Sequence, residues 1–163
     1  MLLSIDNLLD NTVCDNLIQI LNNNKEITTN HLGSIKVHCM ELNNEHKLYS
    51  YKVSRFIHSV MTKHINEVVY PDNIEIVLKQ PSVEFSLHTD RSDRDFVSIT
   101  YLNSLNSGHT YIEGFGDIKP EKGRTIFFKG NEMLHGNRSP EEDRYTFIAW
   151  YTKDINKINI SLK

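Results

Sequence analysis

The hydrophobic pattern of this chain changes period near Pro71. Before it, apolar residues recur every three to four positions. After it they alternate, and a segment whose period is two cannot settle as a helix. Val13, Leu17, Ile20 and Leu21 predict a helix over residues 8–21, with Asp10 placed to cap its first amides and Asn22, Asn23 and Asn24 to end it. Val53, Phe56, Ile57, Val60, Met61, Ile65 and Val68 form one stripe over residues 45–69, and Pro71 is expected to stop that helix. Short β-branched or aromatic runs follow at 73–80, 84–88, 96–102, 110–113, 123–128 and 144–151, separated by turn residues. Helices followed by closely spaced strands predict a mostly β protein with amino-terminal helices, an α+β arrangement in which the helices pack on one outer face of a sandwich or barrel.

At 163 residues the chain is expected to form a single domain, with a helical part over about 1–70 and a β core over about 73–154. Eighteen basic residues stand against twenty-one acidic ones, and no basic run stands out, so nucleic acid is not an expected partner. Cys14 and Cys39 are too few for a disulfide framework and form no CxxC pair. The first residues carry no basic n-region and reach Asp6 at once, and no apolar run has transmembrane length. A cytoplasmic protein without a membrane segment is the expectation.

His88, Thr89 and Asp90 put an imidazole and a carboxylate two residues apart at a strand end, with Cα atoms about 6.6 Å apart on one side. One such pair is a weak signal. His135 follows the strand containing Phe127 and Phe128, where a neighbouring strand of a barrel can bring it beside the first pair. Two imidazoles and one carboxylate leave coordination positions open and suit non-haem Fe(II) rather than structural zinc. Arg144, nine residues later, begins a strand on which Thr146, Ile148 and Trp150 share its face. A guanidinium on an inward wall requires an acid partner or an anionic ligand, and a dicarboxylate matches its fork.

His88-x-Asp90, His135 and Arg144, in that order, resemble the 2-oxoglutarate and Fe(II)-dependent oxygenases. Residues 96–103, 108–112 and 117–128, with Arg144-Tyr145 and Trp150-Tyr151, are similar to the prolyl 4-hydroxylase subgroup. The likeness covers about 73–154, and the first helix matches that family's amino-terminal helix. The resemblance implies a double-stranded β-helix of jelly-roll or cupin-like form. It implies Fe(II) on His88, Asp90 and His135, with 2-oxoglutarate clamped by Arg144, Tyr101 and Thr146. It further implies O2 as co-substrate, ascorbate as an auxiliary reductant, and hydroxylation of a C–H bond in a peptide or protein, with proline first among candidates.

The chain departs from that pattern in places. Gln80-Pro81 stands where many members carry a tyrosine on the strand before the metal dyad, and residues 107–110 read Ser-Gly-His-Thr. Residues 91–95 alternate in charge and form either a solvated loop or a substrate lid; Arg94 within them and Trp150 are the substrate-side candidates. His109 reads as a spare rim histidine. His31, His38, His46, His58 and His64 are expected away from the dyad, and both cysteines as buried small residues. Arg138 and Arg144 stand six apart, which opens a second reading as a nucleic-acid base demethylase, but the position six beyond Arg144 is Trp150 rather than arginine. A non-catalytic cupin-like binding module is the third reading. No pattern specifies an oligomeric state.

Overall fold

The computed structural model describes residues 1–157. In chain order β1 (Leu2–Ile5), α1 (Asn11–Asn23), β2 (Thr29–His31), β3 (Ser34–His38) and α2 (Asn44–Met61) come first. Eight further strands follow: β4 (Tyr70–Lys79), β5 (Phe85–His88), β6 (Phe96–Tyr101), β7 (Thr110–Ile112), β8 (Gly116–Ile118), β9 (Thr125–Phe128), β10 (His135–Asn137) and β11 (Arg144–Thr152). They divide into two antiparallel layers, β9-β6-β11-β4 and β5-β10-β7-β8, which is the jelly roll expected from the sequence. The first layer is widened to seven strands by β1 on one edge and by β3 and β2 on the other.

Alternation along the strands sorts side chains between two cores. On β4, β6, β9 and β11 the residues Ile74, Ile76, Leu78, Phe96, Phe127, Phe147, Ala149 and Tyr151 pack outward against Leu17 and Leu21 of α1 and Val53, Ile57 and Met61 of α2. Their neighbours Val97, Ile99, Tyr101, Ile126 and Phe128 turn inward and meet Ile112 of the other layer. Since β6 is buried on both faces, it reads as a continuous apolar run rather than an amphipathic strand. The inward face of β4 and β11 is different: it carries Asn73, Glu75, Lys79 and Arg144, and these polar residues mark where the layers part to leave a cavity.

The first helix forms but runs Asn11–Asn23 rather than 8–21: it starts after Asp10, which accepts from the Val13 amide at 2.9 Å, and it includes Asn22 and Asn23 before Asn24 caps it. The second is shorter than 45–69. It ends at Met61, and its buried face is Ser50, Val53, Ser54, Ile57 and Met61. Ile65 and Val69 are buried all the same, from a turn and loop that carry the chain back into β4, while Phe56 and Val68 are exposed. Eighteen residues already span about 27 Å, so continuing the helix would carry the chain beyond the sheet it covers. Pro71 does not stop this helix; it lies at the start of β4, opposite Tyr151 at a bulge, where its missing N–H costs no regular ladder bond. The amino-terminal part is also less helical than expected, because β1, β2 and β3 lie within it. Among the described residues no helix is long and apolar enough to cross a membrane.

Candidate active site

Pairing of β5 with β10 sets His88 directly opposite His135, with ring centroids 4.5 Å apart. Asp90 lies two residues beyond β5. Its amide donates to the Gly130 carbonyl at 2.8 Å, which ties it to the connection between β9 and β10. A Cβ on Gly130 would lie 2.1 Å from Asp90 Oδ2, so only glycine leaves room for the carboxylate. As a result one donor atom from each of His88, Asp90 and His135 falls within 4.8 Å of the others.

Both rings are oriented by backbone. His88 Nδ1 lies 2.9 Å from the Ser86 carbonyl and His135 Nδ1 lies 2.8 Å from the Met133 carbonyl. A carbonyl oxygen only accepts, so each Nδ1 carries the proton and each Nε2 presents a lone pair. His88 Nε2 is 4.0 Å from Asp90 Oδ1, and His135 Nε2 is 3.8 Å from Oδ2. These gaps are too long for hydrogen bonds, and Oδ2 is buried with no partner among the described residues. Burial pushes the His135 imidazole down from its ordinary value, against the Met133 carbonyl and the Asp90 charge, and so favours the neutral, ligating form. The donor set and its orphaned oxygen fit a shared cation.

The same cavity, about 340 Å³, holds Arg144. The residue is 3% exposed, and no carboxylate lies within salt-bridge distance of it among the described residues. Arg144 Nη2 donates to Thr110 Oγ1 at 2.9 Å, while Nε is buried with no partner among the described residues. Tyr101, wholly buried, donates its hydroxyl to the same Thr110 oxygen at 2.7 Å, with its ring centre 5.3 Å from the guanidinium carbon. Thr110 Oγ1 thus accepts twice, and its own hydrogen remains to be given into the cavity it lines. Tyr101 and Thr146 stand opposite each other in the β6–β11 register, and Thr146 Oγ1 is buried without a partner among the described residues. Neither of these two lines the cavity.

Trp150 and Arg94 meet at the cavity wall, the guanidinium carbon 4.5 Å from the centre of the indole. Arg94 Nε also lies 3.7 Å from Asp72, whereas Arg91 in the same segment turns away to pair with Asp93 at 2.9 Å. Arg138 faces out and pairs with Asp117 at 3.1 Å. His109 lies off the cavity.

Three placements differ from the sequence-based expectations. His31 and His38 line the cavity, because β3 joins the main sheet beside β4. Gln80 is exposed on the opposite side, and the residue that enters the cavity from that strand is its neighbour Lys79. Thr110, which joins Tyr101 to Arg144, carries no site role in the sequence, where it belongs to the strand run 110–113 and to the segment 107–110; its signal is an alternating position on a short strand beside a buried tyrosine.

No protein-family model matches the sequence, and no curated protein matches it significantly. Solved structures do. A viral collagen prolyl hydroxylase from Paramecium bursaria Chlorella virus-1, solved with 2-oxoglutarate, superposes at a TM-score of 0.75 and 19% identity over 94% of this chain and 96% of its own. A prolyl hydroxylase from Trichoplax adhaerens, in complex with a hypoxia inducible factor peptide fragment, gives 0.80 at 16% identity, covering 98% of this chain and 87% of its own. A Pseudomonas putida prolyl-4-hydroxylase gives 0.70 at 15%, over 94% and 92%. At these identities the likeness is one of architecture, and the chain has the jelly-roll fold that these prolyl hydroxylases share.

Proposed function

We propose that the protein is a 2-oxoglutarate- and Fe(II)-dependent dioxygenase that hydroxylates a C–H bond, with peptidyl proline as its substrate. One observation carries the reading: an open three-donor site and a buried, acid-free guanidinium face into the same cavity. His88, Asp90 and His135 would hold ferrous ion. When bound with O2 and 2-oxoglutarate, the iron supplies oxidative decarboxylation to succinate and CO2, coupled to insertion of one oxygen atom into the substrate. Arg144 would bind the far carboxylate of the co-substrate, since a buried cation lacking an acid is costly until an anion arrives. Thr110 adds a hydroxyl donor there, and Tyr101 acts through Thr110 by holding its oxygen. Thr146 supports the same corner from β11.

A cavity of about 340 Å³ is near the lower end of small-ligand sites. It accommodates a five-carbon dicarboxylate and little more than one side chain of a second molecule, which favours a substrate whose bulk stays outside. Trp150, with Arg94 stacked on it, offers an apolar wall for such a ring. The prolyl hydroxylases of like fold, one of them holding a peptide fragment, support the same substrate class. The shared core of α1, α2 and the main sheet supports a single domain. The free, buried Cys14 and Cys39 support a reducing, cytoplasmic location.

The decisive assay follows succinate formation with Fe(II), 2-oxoglutarate, O2 and ascorbate. It is coupled to mass spectrometry of proline-containing peptides set against methylated oligonucleotides. One added oxygen on proline is the expected result; oxidation confined to the oligonucleotides would replace the substrate. His88→Ala and Asp90→Ala should abolish succinate formation and weaken iron retention. Unchanged turnover by an iron-loaded Asp90→Ala enzyme would remove the ligand assignment.

A further inference from the structure

Ser34 on β3, Lys79 on β4 and Arg144 on β11 form one row across three neighbouring strands, because Lys79 is the register partner of both of the others. All three side chains line the cavity. What unites them is a surplus of donors. Ser34 Oγ and Arg144 Nε are buried without partners among the described residues. Lys79, 7% exposed, takes part in no hydrogen bond or ion pair among the described residues, and its Nζ lies 4.1 Å from the centre of the Phe85 ring. By contrast the other cations of this cavity are matched: Lys36 meets Glu75 at 3.3 Å and Arg94 meets Asp72 at 3.7 Å.

Two cations held side by side on adjacent strands, both buried and neither beside a carboxylate, are a costly arrangement in a protein left to itself. Burial first, then the charges of Arg144 and Lys36, pushes the Lys79 ammonium down to about 7. A carboxylate placed in the row reverses each of these costs at once. It offers about four lone-pair sites, and Arg144 Nε, Lys79 Nζ, the Thr110 hydroxyl and Ser34 Oγ are four donors without an acceptor. Phe85 in turn packs edge-on against His88, with centroids 4.8 Å apart, so one aromatic ring lies between Lys79 and the metal-donor cluster.

We propose that Lys79 is a second cationic contact for the far carboxylate of the co-substrate, beside Arg144, with Ser34 as a further donor. The inference rests on the reading of the site as a 2-oxoglutarate site. It also accounts for why the strand before the dyad presents an ammonium to the cavity, while Gln80 faces away.

The test is anaerobic calorimetry on the Fe(II)-loaded protein with two acids. 2-Oxoglutarate carries the far carboxylate; 2-oxobutyrate keeps the 2-oxo acid end and has a hydrogen where the far carboxylate stood. Lys79→Met should weaken 2-oxoglutarate by about tenfold or more and leave 2-oxobutyrate within about twofold. Lys79→Gln, a second neutral variant, should behave alike, Lys79→Arg should retain most of the affinity, and Ser34→Ala should give a smaller loss of about two- to threefold. Melting curves of each variant without ligand identify any that are misfolded. Unchanged 2-oxoglutarate affinity in the folded neutral variants overturns the proposal, as does an equal loss for both acids. Should the wild type itself bind no 2-oxoglutarate, the function proposed above fails with it; wild-type binding matched by Lys79→Met sinks only the role of Lys79.

Discussion

The site depends on the hydroxyl of Thr110 and on the absence of a side chain at Gly130. Thr110 Oγ1 accepts from both Tyr101 and Arg144, so Thr110→Val leaves two buried donors without an acceptor. The expected loss is about 1–3 kcal/mol of stability, read by urea denaturation, with Thr110→Ser close to wild type; a valine variant as stable as wild type would remove the bridge. Gly130→Ala drives a methyl into Asp90 Oδ2. It should lower metal affinity by about tenfold or more while leaving far-ultraviolet circular dichroism unchanged, as measured by metal titration. His88-x-Asp90, His135 and Arg144 were legible because their spacing survives as a linear pattern. Lys79 was not, since alternation says only that Lys79 and Gln80 point opposite ways. Which of them faces the cavity is set by pairing with β3 and β11.

Among the elements, α1 is the best resolved by local rules: an Asp10 cap, an apolar stripe and an asparagine end all agree. The β2–β3 hairpin is not legible in the sequence, for an equally local reason. Its two-residue turn, Leu32-Gly33, places both residues at positive φ, 50° and 78°, as a tight primed turn requires. Leucine is a poor residue there and hides the signal that Asn-Gly would give. Leu32→Asn should therefore raise stability by about 0.5–1 kcal/mol, visible as a higher urea midpoint; a lower midpoint would mean that the exposed leucine side chain has a partner of its own. The overlong helix has a different origin. The positions 57, 61, 65 and 69 are all buried, so the helical period was present, but Ile65 and Val69 reach the core from irregular backbone.

Across the whole molecule, buried titratable groups tie stability to pH. Lys79 sits at about 7 against an ordinary 10.5, so between those values the unfolded chain binds the additional proton and stability rises with pH. Cys39, pushed up to about 12 by burial from 9.0, opposes this above pH 9, where the unfolded thiol ionises first. Without co-substrate, stability should climb from pH 7 to about 9 by up to about 1.4 kcal/mol per unit and then level off. Lys79→Met should flatten the climb in urea midpoints, and equal slopes in the two proteins would exclude Lys79 as its source. The amino-acid sequence alone determined the period change at Pro71, hence helices before strands. It also determined the two faces of each strand and the donor types of a half-open metal site with a cationic anchor. The tertiary structure alone decided that β3 lies beside β4, that His31 and His38 reach the cavity, and that Ser34, Lys79 and Arg144 form one row. The reason is physical: periodicity assigns a side chain to a face, whereas its neighbours on that face come from strands far away in the chain, whose order and register are settled by packing of the whole sheet.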